Sequence, residues 1–289
     1  MHYQTVATIL SASNGMNIYR GCTHGCIYCD ARSTCYHIEH DFEDVAVKEN
    51  APQLLENALR RKRRRCMIGT GAMCDPYLPL EQEIGYTRKC LEIIARYGFG
   101  LAIQTKSASI LRDLDLLKRI NQQAKCVVQI TITTFDDALC RIVEPNVSCT
   151  RERLNALSIL HENGIPTVVW LSPVLPFIND TEENILSIVR ACKQVSVYGI
   201  LTFGMGLTLR EGDREYYYRQ LDLHFPGLRQ KYEATYGMAY ELPSLNSRAL
   251  MQAFVTECKN SGIVYRPEEI FGYLHEFPTG SDTQLSLFD

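Results

Sequence analysis

The chain has 289 residues, of which 46% are hydrophobic and 22% charged, with a formal net charge of -3 and 12 cysteines. This balance excludes a disordered acidic tail and a small disulfide scaffold, and it argues against a uniformly basic nucleic-acid surface. The length admits one domain or two, because α/β barrels of this size fold as one, and it is enough to bury a sizeable core.

The amino terminus, MHYQTVATIL, has no cationic segment followed by an apolar run. No secretion signal is read there, and the expected compartment is the reducing cytoplasm. The longest apolar stretch, 167–178, is broken by Ser172, Pro173 and Pro176 and falls short of the ~20 residues that span a bilayer, so no membrane partner is expected. In a reducing compartment cysteines are thiols, metal ligands or catalytic groups before they are disulfides.

The first predicted strand, 17–19, runs into Arg20-Gly21-Cys22-Thr23-His24-Gly25-Cys26-Ile27-Tyr28-Cys29. Three thiolates at this spacing, on a loop that Gly21 and Gly25 allow to curl, suit three irons of a [4Fe-4S] cluster and leave the fourth iron open. A structural zinc ion wants four ligands. His24, or the nearby Cys35, His37 and His40, are the candidates for a fourth, but the spacing is not that of a zinc knuckle, and His24 is expected to point to solvent.

A helical pattern over 52–59 ends in six consecutive cations, Arg60 to Arg65. Two readings stand: cations at a helix C-terminus followed by a solvated turn, or a patch that contacts the phosphates of a nucleic-acid partner. Further β-branched runs follow at 66–69, 101–105, 127–133, 167–171 and 199–203, each succeeded by a helix-like pattern. Leu111, Leu114, Leu117 and Ile120 repeat at helical spacing, as do Leu154, Leu157 and Leu160 before a C-cap candidate, Gly164. The alternation predicts an α/β fold with a parallel sheet. Six such units do not close an eight-fold barrel, so a curved, partial barrel is expected.

After Phe203 the chain becomes rich in charge and tyrosine, and 210–240 reads as helical. The expected division is a barrel core over 1–205, a helical extension over 206–277 and a flexible tail over 278–289. The tail carries Gln284-Leu285-Ser286-Leu287-Phe288, which resembles the pentapeptide with which bacterial polymerases and repair proteins bind the sliding clamp. Folding of this apolar end back onto the barrel is the alternative.

The cysteine triplet, with the aromatic Tyr28 before its third member, resembles the signature of the radical S-adenosylmethionine (SAM) superfamily. Segments 69–77 (GTGAMCDPY), 104–107 (QTKS), 129–133 (QITIT), Glu144-Pro145 and 151–154 (RERL) follow the order seen in its spore photoproduct lyase-like branch. The resemblance covers roughly 19–177. It implies a partial (β/α)6 barrel with SAM chelated to the open iron. Cleavage of SAM to methionine and a 5'-deoxyadenosyl radical would follow on delivery of an electron from a flavodoxin- or ferredoxin-type donor. The substrate it implies is DNA, in repair. Modification of RNA, a peptide or a small molecule is the alternative, and a non-catalytic iron-sulfur protein docked on DNA is a reading of another class.

Carried onto this sequence, the resemblance makes Cys22, Cys26 and Cys29 the cluster ligands. Tyr28 would lie beside the adenine, Lys106 would contact the SAM carboxylate or ribose, and Thr131 would hydrogen-bond SAM. Gly69 and Gly71 would permit close backbone approach to SAM, and Arg153 would bind the carboxylate or pair with Glu144. Two positions depart from the pattern. Ala72 stands where the lyase has its cysteine hydrogen donor, with Cys74 two residues on, and Asp30 replaces the tyrosine that follows the third cluster cysteine. If the backbone there is extended, positions 72 and 74 share a face and Cys74 takes over the donor role.

Overall fold

The computed structural model describes residues 1–278. The clamp-like peptide at 284–288 lies outside them. In chain order the elements are β1 (His2–Gln4), β2 (Gly15–Met16), β3 (Tyr19–Arg20), β4 (Ala46–Lys48), α1 (Ala51–Arg61), β5 (Met67–Thr70), α2 (Glu81–Ile84), α3 (Tyr86–Tyr97), β6 (Gly100–Thr105), α4 (Leu114–Gln123) and β7 (Cys126–Thr131). Then follow α5 (Asp137–Val143), α6 (Thr150–Glu162), β8 (Thr167–Trp170), α7 (Glu182–Gln194), β9 (Gly199–Leu201), β10 (Gly206–Thr208), α8 (Asp213–His224), α9 (Leu228–Tyr236), β11 (Glu241–Pro243), α10 (Ser247–Ser261) and α11 (Pro267–His275).

Six strands form one sheet in the order β2-β5-β6-β7-β8-β9, and every neighbouring pair is parallel. This is the expected partial barrel. Strands such as β6 (GLAIQT) and β7 (CVVQIT) are buried almost throughout, because helices cover the outer face while side chains fill the inner one. Local signals position the helices. The Asp136 carboxylate accepts from the Ala138 N–H at 2.7 Å to start α5, and Gly98, at φ 68°, ends α3.

The segment after 205 is less purely helical than its sequence reads. β10 and β11 pair antiparallel beside α8 and α9, and these wrap the cysteine loop in a cluster that joins Ile27 and Tyr28 to Tyr217, Leu221 and Tyr232. The last two helices return to the barrel. α10 packs on α7, while Ile270 and Leu274 of α11 pack against Met67, Ala102, Val127 and Val168 on the inner face. The Nζ of Lys125, just before β7, donates to the Tyr273 carbonyl at 2.6 Å. α11 therefore plugs the end at which the strands begin and leaves the opposite end open.

Candidate active site at the open end of the barrel

β3 delivers the cysteine loop to that open end. The Cys22 N–H donates to the Phe42 carbonyl at 2.8 Å, Ile27 N–H to Val143 O at 3.0 Å, and Asn146 N–H to His24 O at 3.1 Å. The loop is thus hung between the segment before β4 and the connection from α5 to α6. Gly21 has φ 85°, and a Cβ there would sit 2.5 Å from the Phe42 carbonyl oxygen, so only glycine allows this turn.

Cys22, Cys26 and Cys29 line a cavity of about 380 Å³ together with Tyr28, Lys106 and Thr131. Their three sulfurs do not all lie within 4.8 Å of one another, whereas thiolates on one zinc ion, each ~2.3 Å from it, stand only ~3.8 Å apart. The spread suits separate irons of one cluster and not a single ion. Burial pushes the Cys26 thiol well up and the Cys29 thiol up to about 11, while a hydrogen bond with Cys74 brings Cys22 down. A cationic ligand, such as the irons of a cluster would supply, would favour the thiolates at the two raised positions.

Tyr28 is fixed from behind. Its hydroxyl donates to the Glu144 carboxylate, whose other oxygen accepts from Arg153 at 2.5 Å. Arg153 also donates to the carbonyls of Thr131 at 2.8 Å and Ser148 at 2.7 Å. Burial alone would raise Glu144, but the Arg153 and Lys106 cations overcome it, and the carboxyl titrates below its usual range. The Lys106 ammonium stands 5.8 Å from the Tyr28 ring centroid. Burial opposes its charge, but Cys26 and Glu144 more than restore it, and it titrates above the usual lysine value.

A second anchor escaped the sequence reading. Asp75, buried after the β5 turn, accepts from the Thr105 hydroxyl at 2.7 Å, the Lys106 N–H at 2.7 Å and the Tyr77 N–H at 2.8 Å. Its other side faces His24 Nδ1 at 3.6 Å. It therefore ties the cysteine loop to the end of β6. Gln104 lines the cavity and is the register partner of Gln129 on β7. Gln129 accepts from the Trp170 indole at 2.9 Å, and Trp170 meets Phe203 edge to face at 5.7 Å.

The family model of the radical SAM superfamily matches residues 16–214. The chain belongs to the radical SAM superfamily. It is 30% identical over 234 residues to an uncharacterized protein of Mycobacterium tuberculosis, covering 79% of this chain and 68% of that one. To an uncharacterized protein of Methanocaldococcus jannaschii it is 36% identical over 169 residues, 58% of this chain and 62% of that one. Its fold is similar to that of a spore photoproduct lyase variant solved with bound AdoMet and dinucleoside spore photoproduct. The TM-score is 0.62 at 14% identity, covering 86% of this chain and 74% of that one. Membership of the superfamily implies a [4Fe-4S] cluster and SAM, and an electron donor with them.

For this radical SAM protein the structure gathers Cys22, Cys26, Cys29, Tyr28, Lys106, Thr131 and Cys74 at one cavity, as the sequence predicts. Four expectations change. Arg153 does not line the cavity; its guanidinium is engaged by Glu144, the Cys140 sulfur and two backbone carbonyls, so of the two roles read from sequence the structure shows the pairing. Gly71, at φ 98°, lines the cavity and is required because a Cβ would strike the Gln104 carbonyl, whereas Gly69 is outside that lining and a Cβ there would meet only Gly15 Cα, at 3.9 Å. His24 is 3% exposed, held inward by Asp75. Residues 72–74 bend instead of running extended, with Ala72 exposed and Cys74 buried, and both line the cavity.

Arg60 and Arg61 close α1, and Lys62 bonds Asn14 at 2.6 Å. The run feeds the start of β5, the plugged end of the barrel. A nucleic acid gripped there would face away from the cavity, so helix-end cations are the reading that the geometry favours. Among the described residues no helix is long and apolar enough to cross a membrane.

Proposed function

We propose that the chain is an enzyme that reductively cleaves SAM and acts on a base of DNA, in the manner of the spore photoproduct lyase-like branch. The observation that carries the substrate reading is the lining of the cavity. The Gln104 carboxamide lines the cavity with the rings of Trp170 and Phe203, and Gln129, its register partner, holds the Trp170 indole at 2.9 Å. Amides match the donor and acceptor edges of a base, and aromatic rings match its face.

Phe203 is 64% exposed. It also lines a larger cleft of about 660 Å³, between the residues after β9 and the start of α10, which reaches Arg248 and Tyr240. Ser172, Pro173, Phe203, Leu207 and Thr208 border both spaces. A base carried on a polymer has room to enter from this side while its backbone remains near Arg248, as base flipping requires. The spore photoproduct lyase solved with a dinucleoside substrate supports the same reading.

When bound, the cluster and SAM supply sulfonium cleavage and hydrogen-atom abstraction. The chain's own residues position these groups and exclude water. Glu144 holds the Tyr28 ring in the cavity wall, the Lys106 ammonium offers a cation to a carboxylate or ribose, and the Thr131 hydroxyl offers a hydrogen bond. Cys74, whose Sγ donates to the Gly21 carbonyl at 2.8 Å, keeps a hydrogen on sulfur in the same wall, and we assign it the return of a hydrogen atom to the product radical, the resulting thiyl regaining an electron from the same external donor and a proton from solvent. A flavodoxin- or ferredoxin-type protein is the proposed electron source.

Anaerobic incubation of the cluster-loaded chain with SAM and dithionite should yield 5'-deoxyadenosine, with the yield increased by oligodeoxynucleotides. No 5'-deoxyadenosine under any condition would defeat the enzyme reading. Stimulation by RNA or peptides but not by DNA would defeat the substrate.

A further inference from the structure

Behind the cysteine loop, outside the cavity, β1 and β4 pair with His2 opposite Ala46 and bring together two imidazoles and a carboxylate. His2 Nδ1 lies 2.8 Å from Asp44 Oδ2. The His2 and His40 rings meet edge to face with centroids 4.8 Å apart. One ligand atom from each of His2, His40 and Asp44 falls within 4.8 Å of the others. Surface ion pairs of Asp44 with His2 and with the Met1 amino group, each at 2.8 Å, account for two of these residues and leave His40 unexplained. His40 Nδ1 bonds the Asp41 carbonyl at 2.9 Å, which places the ring proton on Nδ1 and a lone pair on Nε2. That Nε2 is buried without a hydrogen-bond partner. A histidine whose far nitrogen donates to a backbone carbonyl while the near one is left free is oriented as metal-ligating histidines are.

We propose that His2, His40 and Asp44 form a site for one divalent transition ion of the zinc class, with a fourth position open to water. Two imidazoles and a carboxylate are donors of suitable softness for zinc. Donors ~2.0–2.2 Å from zinc stand ~3.4 Å apart in a tetrahedron, so the 2.8 Å contact of His2 with Asp44 must open by about half an ångström to admit the ion. The His2 and Asp44 side chains are 39% and 43% exposed and free to rotate that far.

The site lies next to the cluster loop in the chain's connectivity. Phe42, between His40 and Asp44, accepts the Cys22 N–H, and a Cβ on Gly21 would stand 3.5 Å from His40 Cε1. An ion here clamps β1 to the segment from which the first cluster cysteine hangs. Its role is structural support of the loop.

The test uses the cluster-loaded chain without a histidine tag, titrated anaerobically with ZnCl2, desalted and analysed for zinc, iron and sulfide. About one zinc per chain is expected, with at least ~10-fold weaker binding in His40→Gln and in His2→Gln, whose exposed position leaves folding and cluster content unchanged. Zinc-edge X-ray absorption separates this site from displaced cluster thiolates: N/O ligands at ~2.0–2.1 Å are expected, and sulfur at ~2.3 Å overturns the proposal. Zinc that does not bind, or that binds both variants as tightly as wild type, also overturns it. Air bleaching of the cluster should be slower in the zinc-loaded wild type; equal rates overturn the supporting role.

Discussion

Replacing Glu144 by glutamine tests the brace behind Tyr28. Glu144 and Arg153 are both 0% exposed, and the guanidinium has no other anionic partner in its hydrogen bonds. Opposite charges ~4 Å apart at an effective dielectric constant of ~20 attract by ~4 kcal/mol, and removing one partner of a buried pair costs ~3–5 kcal/mol because the other charge is stranded. Against a domain stability of ~5–15 kcal/mol this is a large fraction. Urea unfolding of the cluster-free chain, followed by circular dichroism, should show the midpoint falling by ~1–2 M. The double variant Glu144→Gln/Arg153→Met should recover part of the loss, since it strands neither charge. The pair also sets a pH dependence. Because Glu144 titrates below its ordinary 4.5 in the folded chain, its contribution is complete above that pH and is lost as pH falls through the folded value, so Glu144→Gln should flatten the acid limb. A loss under ~1 kcal/mol, or additive single and double variants, would refute the reasoning.

Three further outcomes follow from the same geometry. Gln104→Ala should leave 5'-deoxyadenosine formation without nucleic acid within about 2-fold while raising the KM for an oligodeoxynucleotide substrate ~10-fold or more, given ~1–3 kcal/mol for a base-edge contact; equal losses in both assays would count against base reading. Cys74→Ala should keep cluster iron and SAM cleavage but lower the ratio of finished product to 5'-deoxyadenosine, because the substrate radical loses its hydrogen donor; an unchanged ratio would remove Cys74 from that role. Burial raises the Asp213 carboxyl from 3.8 to about 6, so the stability linked to its proton is present below pH 3.8 and lost as pH rises through 6. Asp213→Asn should therefore be more stable relative to wild type at pH 7 than at pH 4, and a pH-independent difference would contradict this.

The parts legible in the sequence are those with local signals. Continuous apolar runs such as 127–133 announce buried parallel strands, and the triplet with its two glycines announces its chemistry by spacing alone. Lys106 follows β6 and Thr131 ends β7, at the strand ends where barrels expose functional groups. The missed residues depend on partners far along the chain. Asp75 reads as a turn residue before Pro76, and only folding brings it to Thr105, Lys106 and His24. Gln104 and Gln129 read as strand interior until the register sets them side by side, with Gln104 in the cavity lining. His2 and Asp44 have no motif at all; the β1–β4 pairing unites them with His40. The inward His24 follows from the positive φ of Gly21 and Gly25, which fold the loop onto Asp75 where a straighter loop would have faced solvent.

The account rests on one cluster with an open iron held by Cys22, Cys26 and Cys29. Anaerobic reconstitution with iron and sulfide, followed by electron paramagnetic resonance of the dithionite-reduced protein, addresses it directly. About four irons and four sulfides per chain are predicted, with a signal that shifts when SAM is added and is absent in Cys26→Ala. A single tightly bound zinc at the triplet, or a cluster signal that SAM leaves unmoved, would contradict it.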